Sequence, residues 1–252
     1  MSKEILADLH THTISSQHAL STLHENVMMA EKRGLQLIAT TDHLYYVQER
    51  IPRLNELARL EEMHDIRLSG NVSLIPGVEL NLNHAVVNSD KQRITDKTTW
   101  RPVGFHSWFV DRNCCDVANI PQLFYDAVTS ENAVKPTAFA HIERGLTACR
   151  NGADIGAVTA ALYQIVDIAS ENDIFLEINN ASLRRGSETV ALMKQWISYA
   201  KERGAKFCMG TDAHYCDSVG NFKDVLELLD SIDMRNEYIL NYDYDALCAL
   251  VP

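Results

Sequence analysis

Features typical of secreted and membrane proteins are scarce in this chain. Its 252 residues contain no run of about 18 apolar residues, so we expect no transmembrane helix. The segment 1–8 lacks the apolar core of a signal peptide. None of the six cysteines forms a Cys-x-x-Cys pair, and Cys114 and Cys115 are adjacent. Such spacing does not suit a disulfide framework, and we therefore expect a cytoplasmic protein.

Positive charge is also scarce. Lysine and arginine total 23 residues against 34 aspartates and glutamates, which gives a formal net charge of −11. Proteins that bind nucleic acid nonspecifically do so through basic side chains that displace counterions from phosphates. We therefore expect no stable binding to nucleic acid. Heptads and apolar stripes are lacking as well, so the sequence leaves the oligomeric state open.

Histidine, in contrast, is concentrated in short clusters, each near the predicted end of a strand. The clusters and single residues are His10-Thr11-His12 with His18, Thr41-Asp42-His43, His106, His141 and Thr211-Asp212-Ala213-His214. One glutamate, Glu79, lies between the second cluster and His106 along the chain. Imidazole and carboxylate groups are the usual ligands of borderline divalent cations such as zinc and manganese. The pattern predicts a polynuclear metal site. We expect His24, His64 and His84 to lie outside it.

Apolar periodicity alternates between strand and helix along the chain. It predicts seven strands, at 5–10, 35–40, 72–75, 102–109, 137–141, 174–178 and 206–210. The predicted helices include one over 47–64 and three that begin at Thr22, Asp154 and Ser187 as caps, whereas 84–99 is expected to form a loop or hairpin. We therefore expect one α/β domain, 1–252, with a parallel sheet and functional side chains at the carboxyl ends of its strands.

The combined motifs resemble the PHP (polymerase and histidinol phosphatase) family. The matching segments are Asp8-Leu9-His10-Thr11-His12, Thr41-Asp42-His43, Gly77-Val78-Glu79, His106, His141, Leu176-Glu177-Ile178-Asn179-Asn180 and Gly210-Thr211-Asp212-Ala213-His214. Their order and spacing are most similar to the compact, stand-alone phosphatase branch of the family, the YcdX-like branch. The resemblance implies a distorted (β/α)7 barrel, similar to a TIM barrel, with a trinuclear metal site at the carboxyl ends of the strands.

The resemblance also implies how nine ligands are divided among the ions. The first group is His10, His12, Glu79 and Asp212; the second is Glu79, His106 and His141; the third is His18, His43 and His214. It implies two or three divalent ions, of zinc, manganese or iron, with Asp212, Glu79 and His214 in catalytic positions. Such ions activate a water as hydroxide and neutralise the charge of a phosphate ester. The implied activity is therefore metal-dependent hydrolysis of a small phosphorylated substrate, most simply a phosphomonoester.

Other side chains near the motifs are candidates for substrate binding. Arg144 is expected to contact phosphate, with Arg184 and Arg185 behind it, and Asn179 and Asn180 are expected to line the pocket. Asp8 and Asp42 are expected to orient neighbouring imidazoles.

The chain also departs from the family. After His141 it reads Ile142-Glu143-Arg144-Gly145 where the branch often has Pro-Gly, which leaves the substrate preference open. Three alternatives remain at this point: a phosphodiesterase or exonuclease acting on nucleic-acid ends, an amidohydrolase-type hydrolase, and a non-catalytic metal-binding protein.

Overall fold

The computed structural model describes residues 4–43, 70–82, 90–106, 116–148 and 154–252. Eight strands lie within these ranges: β1 Ala7–Thr11, β2 Leu37–Thr40, β3 Ser73–Pro76, β4 Leu80–Asn81, β5 Pro102–Gly104, β6 Ala138–Ala140, β7 Phe175–Asn179 and β8 Phe207–Gly210. They form a three-stranded sheet in the order β1-β2-β3 and a five-stranded sheet in the order β4-β5-β6-β7-β8. All neighbouring strands run parallel, which confirms the predicted α/β class.

The α-helices of the described ranges are α1 Leu23–Lys32, α2 Lys91–Lys97, α3 Ile120–Thr129, α4 Ile142–Ala148, α5 Ile155–Glu171, α6 Ser187–Glu202, α7 Lys223–Ser231 and α8 Tyr244–Cys248. The capping box at Thr22 and Glu25 is confirmed, as is the cap of α5, where the Asp154 side chain accepts from the Ala157 N–H. No helix in this part of the chain is long and apolar enough to cross a lipid bilayer. The predicted helix over 47–64 lies outside the described residues, as do His64 and His84.

Several details of the predicted elements are wrong. The strand predicted over 102–109 ends at Gly104, so it does not contain His106. The two-residue strand β4 was not predicted, because so short a strand shows no alternation of apolar and polar residues. Part of the predicted loop 84–99 is helix α2, whose single buried residue, Ile94, gives too weak an apolar pattern to indicate a helix. Ser187 does not cap α6; Gly186 does, with a φ of 123° that glycine adopts readily and other residues rarely do.

The two sheets meet through isolated bridges at their margins. Thr11, the last residue of β1, pairs with Ala213 just beyond β8, and His43 beyond β2 pairs with Glu79, which lies between β3 and β4. Over the described residues no continuous ladder of hydrogen bonds joins the sheets, so a closed barrel is not seen. Both bridges lie at the carboxyl ends of the strands or just past them. They bring the first and last strands, and their polar side chains, to one place.

The strands are buried by an apolar layer that the helices supply. Trp196 of α6, Phe124 of α3 and Phe207 of β8 are fully buried side chains of the main core. Burial on this scale, at roughly 25 cal/mol per Å² of apolar surface, is the dominant force that fixes the strands. Most side chains within the strands are apolar, and most polar side chains of the motifs lie at or just beyond the strand ends, where they converge.

Candidate metal centre

All nine predicted ligands lie in one cluster. His10 belongs to β1 and His12 follows it, His43 follows β2, and His106 and His141 follow β5 and β6. Glu79 immediately precedes β4, while Asp212 and His214 follow β8 and His18 follows a 3-10 turn at Ile14–Ser16. Parallel strands end at the same edge of a sheet, so this convergence follows from the topology.

Glu79 is the centre of the cluster. Its Oε2 lies 3.3 Å from both His10 Nε2 and His12 Nε2. Its Oε1 lies 2.8 Å from His141 Nε2 and 3.2 Å from His106 Nε2. Each oxygen of this buried carboxylate therefore faces a different set of imidazoles. This arrangement fits a carboxylate that bridges two ions.

Asp212 completes the group around the first pair of histidines. Its Oδ1 lies 3.2 Å from His12 Nε2, 3.7 Å from His10 Nε2 and 3.5 Å from His214 Nδ1. Three sets have ligand atoms within 4.8 Å of one another, as an ion would require: His10 with His12 and Asp212, His10 with Glu79 and His141, and His12 with His43 and Glu79. The donors are nitrogen and carboxylate oxygen, which suits zinc, manganese or iron.

The third implied ligand group is less complete in the structure. His18 Nε2 lies 2.7 Å from His214 Nε2, and the His18 ring lies 5.2 Å from the ring of His43. However, His43 Nδ1 points to Glu79 Oε2 at 3.4 Å. His43 is therefore shared between the two ends of the cluster. The division of the nine ligands among three ions remains a prediction.

Several of the imidazoles have their outer nitrogen bound by the protein. His10 Nδ1 lies 2.7 Å from Glu177 Oε1, and His12 Nδ1 lies 3.0 Å from the Ser16 hydroxyl. His18 Nδ1 lies 2.7 Å from a backbone oxygen, that of Ser16. Partners of this kind fix the ring orientation of metal-ligating histidines and leave the other nitrogen directed at the ion. The residues present therefore fit a metal centre.

Glu177 lies in one of the segments that resemble the family, but the sequence assigned it no role. Besides His10 Nδ1, its carboxylate accepts from the His141 backbone N–H at 3.1 Å and from Asn179 Nδ2 at 3.2 Å. It thus joins β1, β6 and β7 beneath the cluster. The available signal was a carboxylate in the middle of an otherwise apolar strand, Phe175–Asn179, since a buried charge requires partners.

Two glycines leave room for this packing. A Cβ at Gly210 would overlap Glu177 Oε1 and His10 Cβ. A Cβ at Gly104 would lie 2.5 Å from His141 Cε1 and 3.1 Å from Glu79 Oε1. Because these two positions carry no side chain, the backbone of β5 and β8 can pack directly against the cluster.

The predicted roles of Asp8 and Asp42 need correction. Asp8 accepts from the Thr211 hydroxyl at 2.5 Å and from the Gly220 N–H at 2.9 Å; the only part of a histidine that it contacts is the His10 backbone N–H. Asp8 therefore fixes the chain just after β8 and does not orient an imidazole ring. Burial raises the pKa of its carboxyl group. Asp42 acts on His12 indirectly, because its carboxylate accepts from the Ser16 hydroxyl at 2.5 Å.

Two candidate ligands have a backbone conformation that is rare outside glycine. His141 has a φ of 33° and Asp212 has a φ of 54°. Left-handed conformations cost of order 1–3 kcal/mol at non-glycine residues and are common at functional sites. The Asp212 N–H donates to the His10 carbonyl oxygen at 2.8 Å, and the His141 N–H donates to Glu177, which holds both residues in place.

Charge inside the cluster is unevenly distributed in the protein without ions. Burial lowers the pKa of His12, but hydrogen bonds to Asp212 and Glu79 outweigh it and raise the pKa to about 9. For His214, burial and the neighbouring His12 lower the pKa to about 4. Burial opposes ionisation of Glu79, but His43, His10 and His106 outweigh it and hold its pKa well below the usual range. The central carboxylate is therefore available as an anion.

Arg144 lies beside the cluster as predicted. Its guanidinium pairs with Asp212 Oδ2, and its side chain is 15% exposed. Burial and the nearby Arg144 lower the pKa of Arg185, whereas the nearby Asp212 and Glu143 act in the opposite direction. Arg185 therefore lies on the same side of the centre. Arg184, in contrast, is bound at 2.9 Å to Asp224 on the surface. Of the two arginines placed behind Arg144, only Arg185 is near the site.

Asn179 and Asn180 are both buried, and their amides bind the protein. Asn179 donates to Glu177 and accepts from the Ser182 N–H at 3.0 Å, while Asn180 Oδ1 accepts from the Val225 N–H at 3.1 Å. These contacts give them a structural role. Substrate contact by these amides remains a prediction that the observed bonds do not support.

Glu143 was not singled out by the sequence. It is fully buried, and within the described ranges neither of its carboxylate oxygens makes a hydrogen bond of good geometry, although the Ser182 hydroxyl is near. Burial raises its pKa. His24, predicted to lie outside the site, is exposed in the first turn of α1.

The chain is similar to known proteins. The PHP domain model matches residues 8–181. A probable phosphatase of Caldanaerobacter subterraneus subsp. tengcongensis is 32% identical over 257 residues, which cover 97% of this chain and 90% of the relative. A probable phosphatase of Clostridium acetobutylicum is 29% identical over 241 residues, which cover 94% and 91%.

Solved structures show the same fold at lower identity. The crystal structure of a histidinol phosphate phosphatase from Lactococcus lactis, in complex with zinc, L-histidinol and phosphate, aligns with a TM-score of 0.61 and 17% identity over 92% of this chain and 95% of that one. A putative histidinol phosphatase from Listeria monocytogenes aligns with a TM-score of 0.62 and 14% identity over 85% and 97%. Together with the family match over 8–181, these likenesses lead to one conclusion: the chain belongs to the PHP domain family.

Proposed function

We propose that this protein is a metal-dependent hydrolase of phosphate esters, and most simply a phosphomonoesterase. The main support for the proposal is that the buried Glu79 carboxylate directs each of its two oxygens at a different set of imidazoles. This arrangement supports at least two neighbouring ions. The names and the zinc and phosphate complex of the relatives support the same chemistry.

The proposal includes the finer details of the site and the fold. We assign His10, His12, Glu79 and Asp212 to one ion, Glu79, His106 and His141 to a second, and His18, His43 and His214 to a third. The two sheets would complete a distorted barrel through the bridges at Thr11 and His43, with the whole chain as one domain. Zinc, manganese and iron all suit these donors.

Divalent ions at these positions would supply Lewis-acid activation of water and of phosphate oxygens. The protein residues hold and orient the reacting groups. Asp212 and Glu79 remain ionised, so they offset the positive charge of the ions. Arg144 pairs with Asp212 in the ion-free protein, and a cation already held at this position is suited to a phosphate oxygen.

A small substrate fits the acidic chain better than nucleic acid does. The net charge of −11 disfavours a polyanion with many phosphate contacts, whereas one phosphate group needs only the local field of the ions and Arg144. We therefore propose a small phosphorylated molecule as the substrate. A cytoplasmic location remains part of the same proposal.

The decisive test is metal removal and restoration on substrates of three kinds. The purified protein is treated with a chelator and then given zinc, manganese or iron. We expect hydrolysis of an aryl phosphate to be lost and to return with at least one of these metals. Activity that persists in protein shown by elemental analysis to be metal-free would contradict the proposal.

The same preparation is assayed on an aryl phosphodiester and on single-stranded DNA. We expect turnover of the monoester to exceed that of both. Higher turnover of the diester or of DNA would identify a phosphodiesterase or exonuclease instead. Hydrolysis of amides in place of phosphate esters would identify an amidohydrolase-type enzyme.

A further inference from the structure

The candidate ligands differ in their access to solvent. His10, His12 and Glu79 are buried, whereas His18 is exposed and the side chain of His214 is 33% exposed. Among the described residues, the centre is therefore most open at His18 and His214. The organic part of any substrate bound through this opening lies against the residues that border it.

Three exposed apolar residues lie in the chain segments that carry His18 and His214. Ile14 is 55% exposed, Leu20 76% and Tyr215 51%. Leu20 is two residues beyond His18, and Tyr215 directly follows His214. We call these three residues the apolar rim. A single exposed apolar residue is ordinary on a protein surface, but a group of them beside a polar site marks a surface for binding.

Backbone hydrogen bonds hold the rim together. The Leu20 N–H donates to the His214 carbonyl oxygen at 2.8 Å, which makes Leu20 and Tyr215 neighbours. The Ile14 N–H donates to the carbonyl oxygen of Ser21 at 2.8 Å. The Ser21 hydroxyl in turn accepts from the Cys216 N–H at 2.8 Å. The segments that carry the rim are thus bound to each other.

The rim is also anchored to the buried part of the centre. The N–H and hydroxyl of Thr13, which precedes Ile14, both donate to the Asp42 carboxylate at 2.7 Å. A surface held in this way loses little conformational entropy when a ligand binds, so its apolar area contributes to affinity more fully. The rim is therefore a preformed surface that lies next to the opening.

We propose that the apolar rim binds the alcohol part of the substrate, so that the enzyme prefers phosphate esters of aromatic alcohols over those of small polar or short aliphatic alcohols. This inference rests on the proposed phosphate ester hydrolysis. The Tyr215 ring supplies a face for stacking, and Leu20 and Ile14 supply aliphatic contact. The ions and Arg144 would bind the phosphate, and the rim would select what is attached to it.

The test uses two esters whose leaving groups are similar alkoxides, 2-phenylethyl phosphate and ethyl phosphate. For the metal-loaded protein we expect kcat/KM to be about tenfold higher for the phenylethyl ester, the gain typical of burying part of one ring. In Tyr215→Ser and Leu20→Ser this ratio falls toward one, and in Tyr215→Phe it is kept. Tyr244→Ser is the matched control, because Tyr244 is 52% exposed at the opposite end of the strands, where Asn241 donates to the Ala7 carbonyl oxygen.

A binding measurement that needs no turnover accompanies the kinetics. Calorimetry with 2-phenylethylphosphonate and ethylphosphonate should give tighter binding and a more negative heat-capacity change for the former, and both differences should shrink in Tyr215→Ser. Equal ratios in the wild type and in the rim variants would overturn the rim proposal alone. If neither ester is hydrolysed by protein of verified metal content, the proposed function fails, and the rim proposal fails with it.

Discussion

The two ends of the histidine cluster differ in burial and in what holds them. The buried half comprises His10, His12, His106 and His141 around Glu79. In it, side chains bind the outer nitrogens of His10 and His12, through Glu177 and Ser16. The open half comprises His18 and His214, whose outer nitrogens bind backbone carbonyl oxygens at 2.7 and 2.9 Å. The outer nitrogens of His10 and His12 are thus held by side chains, and those of His18 and His214 by local backbone oxygens.

This difference shows how one site can both retain ions and admit a substrate. Buried ligands whose outer nitrogens are bound by other side chains hold an ion tightly, because the surroundings fix ring orientation and raise ligand basicity. An exposed pair whose outer nitrogens are bound by backbone oxygens has a lower affinity for an ion but remains accessible to a substrate. If this division is correct, perturbing the buried half should affect both metal content and chemistry, whereas perturbing the open half should affect them less.

The largest effect is expected from a ligand of the buried half. In His12→Ala we expect turnover of an aryl phosphate to fall by about a thousandfold or more, since several kcal/mol of charge stabilisation depend on a complete ion site. In His18→Ala the loss should be clearly smaller, with part of the metal content retained. Steady-state kinetics together with elemental analysis measure both effects.

The matched control for these variants is His24→Ala, which removes an exposed histidine near the start of α1 and should leave both readouts unchanged. If His18→Ala and His12→Ala lose equal activity and equal metal, the distinction between the two halves is wrong. Full turnover in His12→Ala would refute the ligand assignment itself.

A smaller effect is expected from the residue that orients the buried half. In Glu177→Gln the amide has a single acceptor oxygen, so it cannot serve both His10 Nδ1 and the His141 N–H. We expect metal affinity to fall by about 10- to 100-fold, the usual cost of losing such a partner. Competition with a chromophoric chelator measures the change. Glu171→Gln, an exposed change at the end of α5, is the control and should not alter the affinity.

An unchanged affinity in Glu177→Gln would show that backbone geometry alone orients His10. Restoration of turnover at saturating metal would support a role in positioning, because a residue that contacts the substrate would leave a defect in kcat under those conditions.

The sequence predicted the ligands better than it predicted their supports. Ligand identity could be inferred because histidine and carboxylate recur at strand ends, and the topology of a parallel sheet brings such ends together. The role of Glu177 could not, because it depends on contact with His10, 167 positions away along the chain. Asp8 was assigned to a ring for the same reason: its sequence position beside the motif does not reveal that its carboxylate turns toward Thr211 and Gly220.

Local conformation limits sequence inference in a second way. The left-handed φ of His141 and of Asp212 is imposed by tertiary hydrogen bonds against the preference of the residues themselves. Such positions cannot be anticipated from propensity. Helix α2 was missed because it buries only Ile94.

The smallest of the predicted effects concerns protons and distinguishes the two halves by pH. In the ion-free protein the pKa of His12 is raised to about 9, so at pH 7 this ring carries a proton that an ion must displace. The pKa of His214 is lowered to about 4, so that ring is already neutral at pH 7.

Metal binding at the buried half should therefore release at least one proton at pH 7, and the affinity of this half for the metal should rise by about tenfold from pH 7 to pH 8. The part of this release that comes from His12 should disappear above pH 9 to 10, where His12 is neutral before the ion arrives, while the open half should show no release from His214 above about pH 5. Calorimetric titration of the metal-free protein in buffers of different ionisation enthalpy counts these protons, and an equal count at pH 7 and pH 10 would contradict the expected loss of the His12 proton between these pH values.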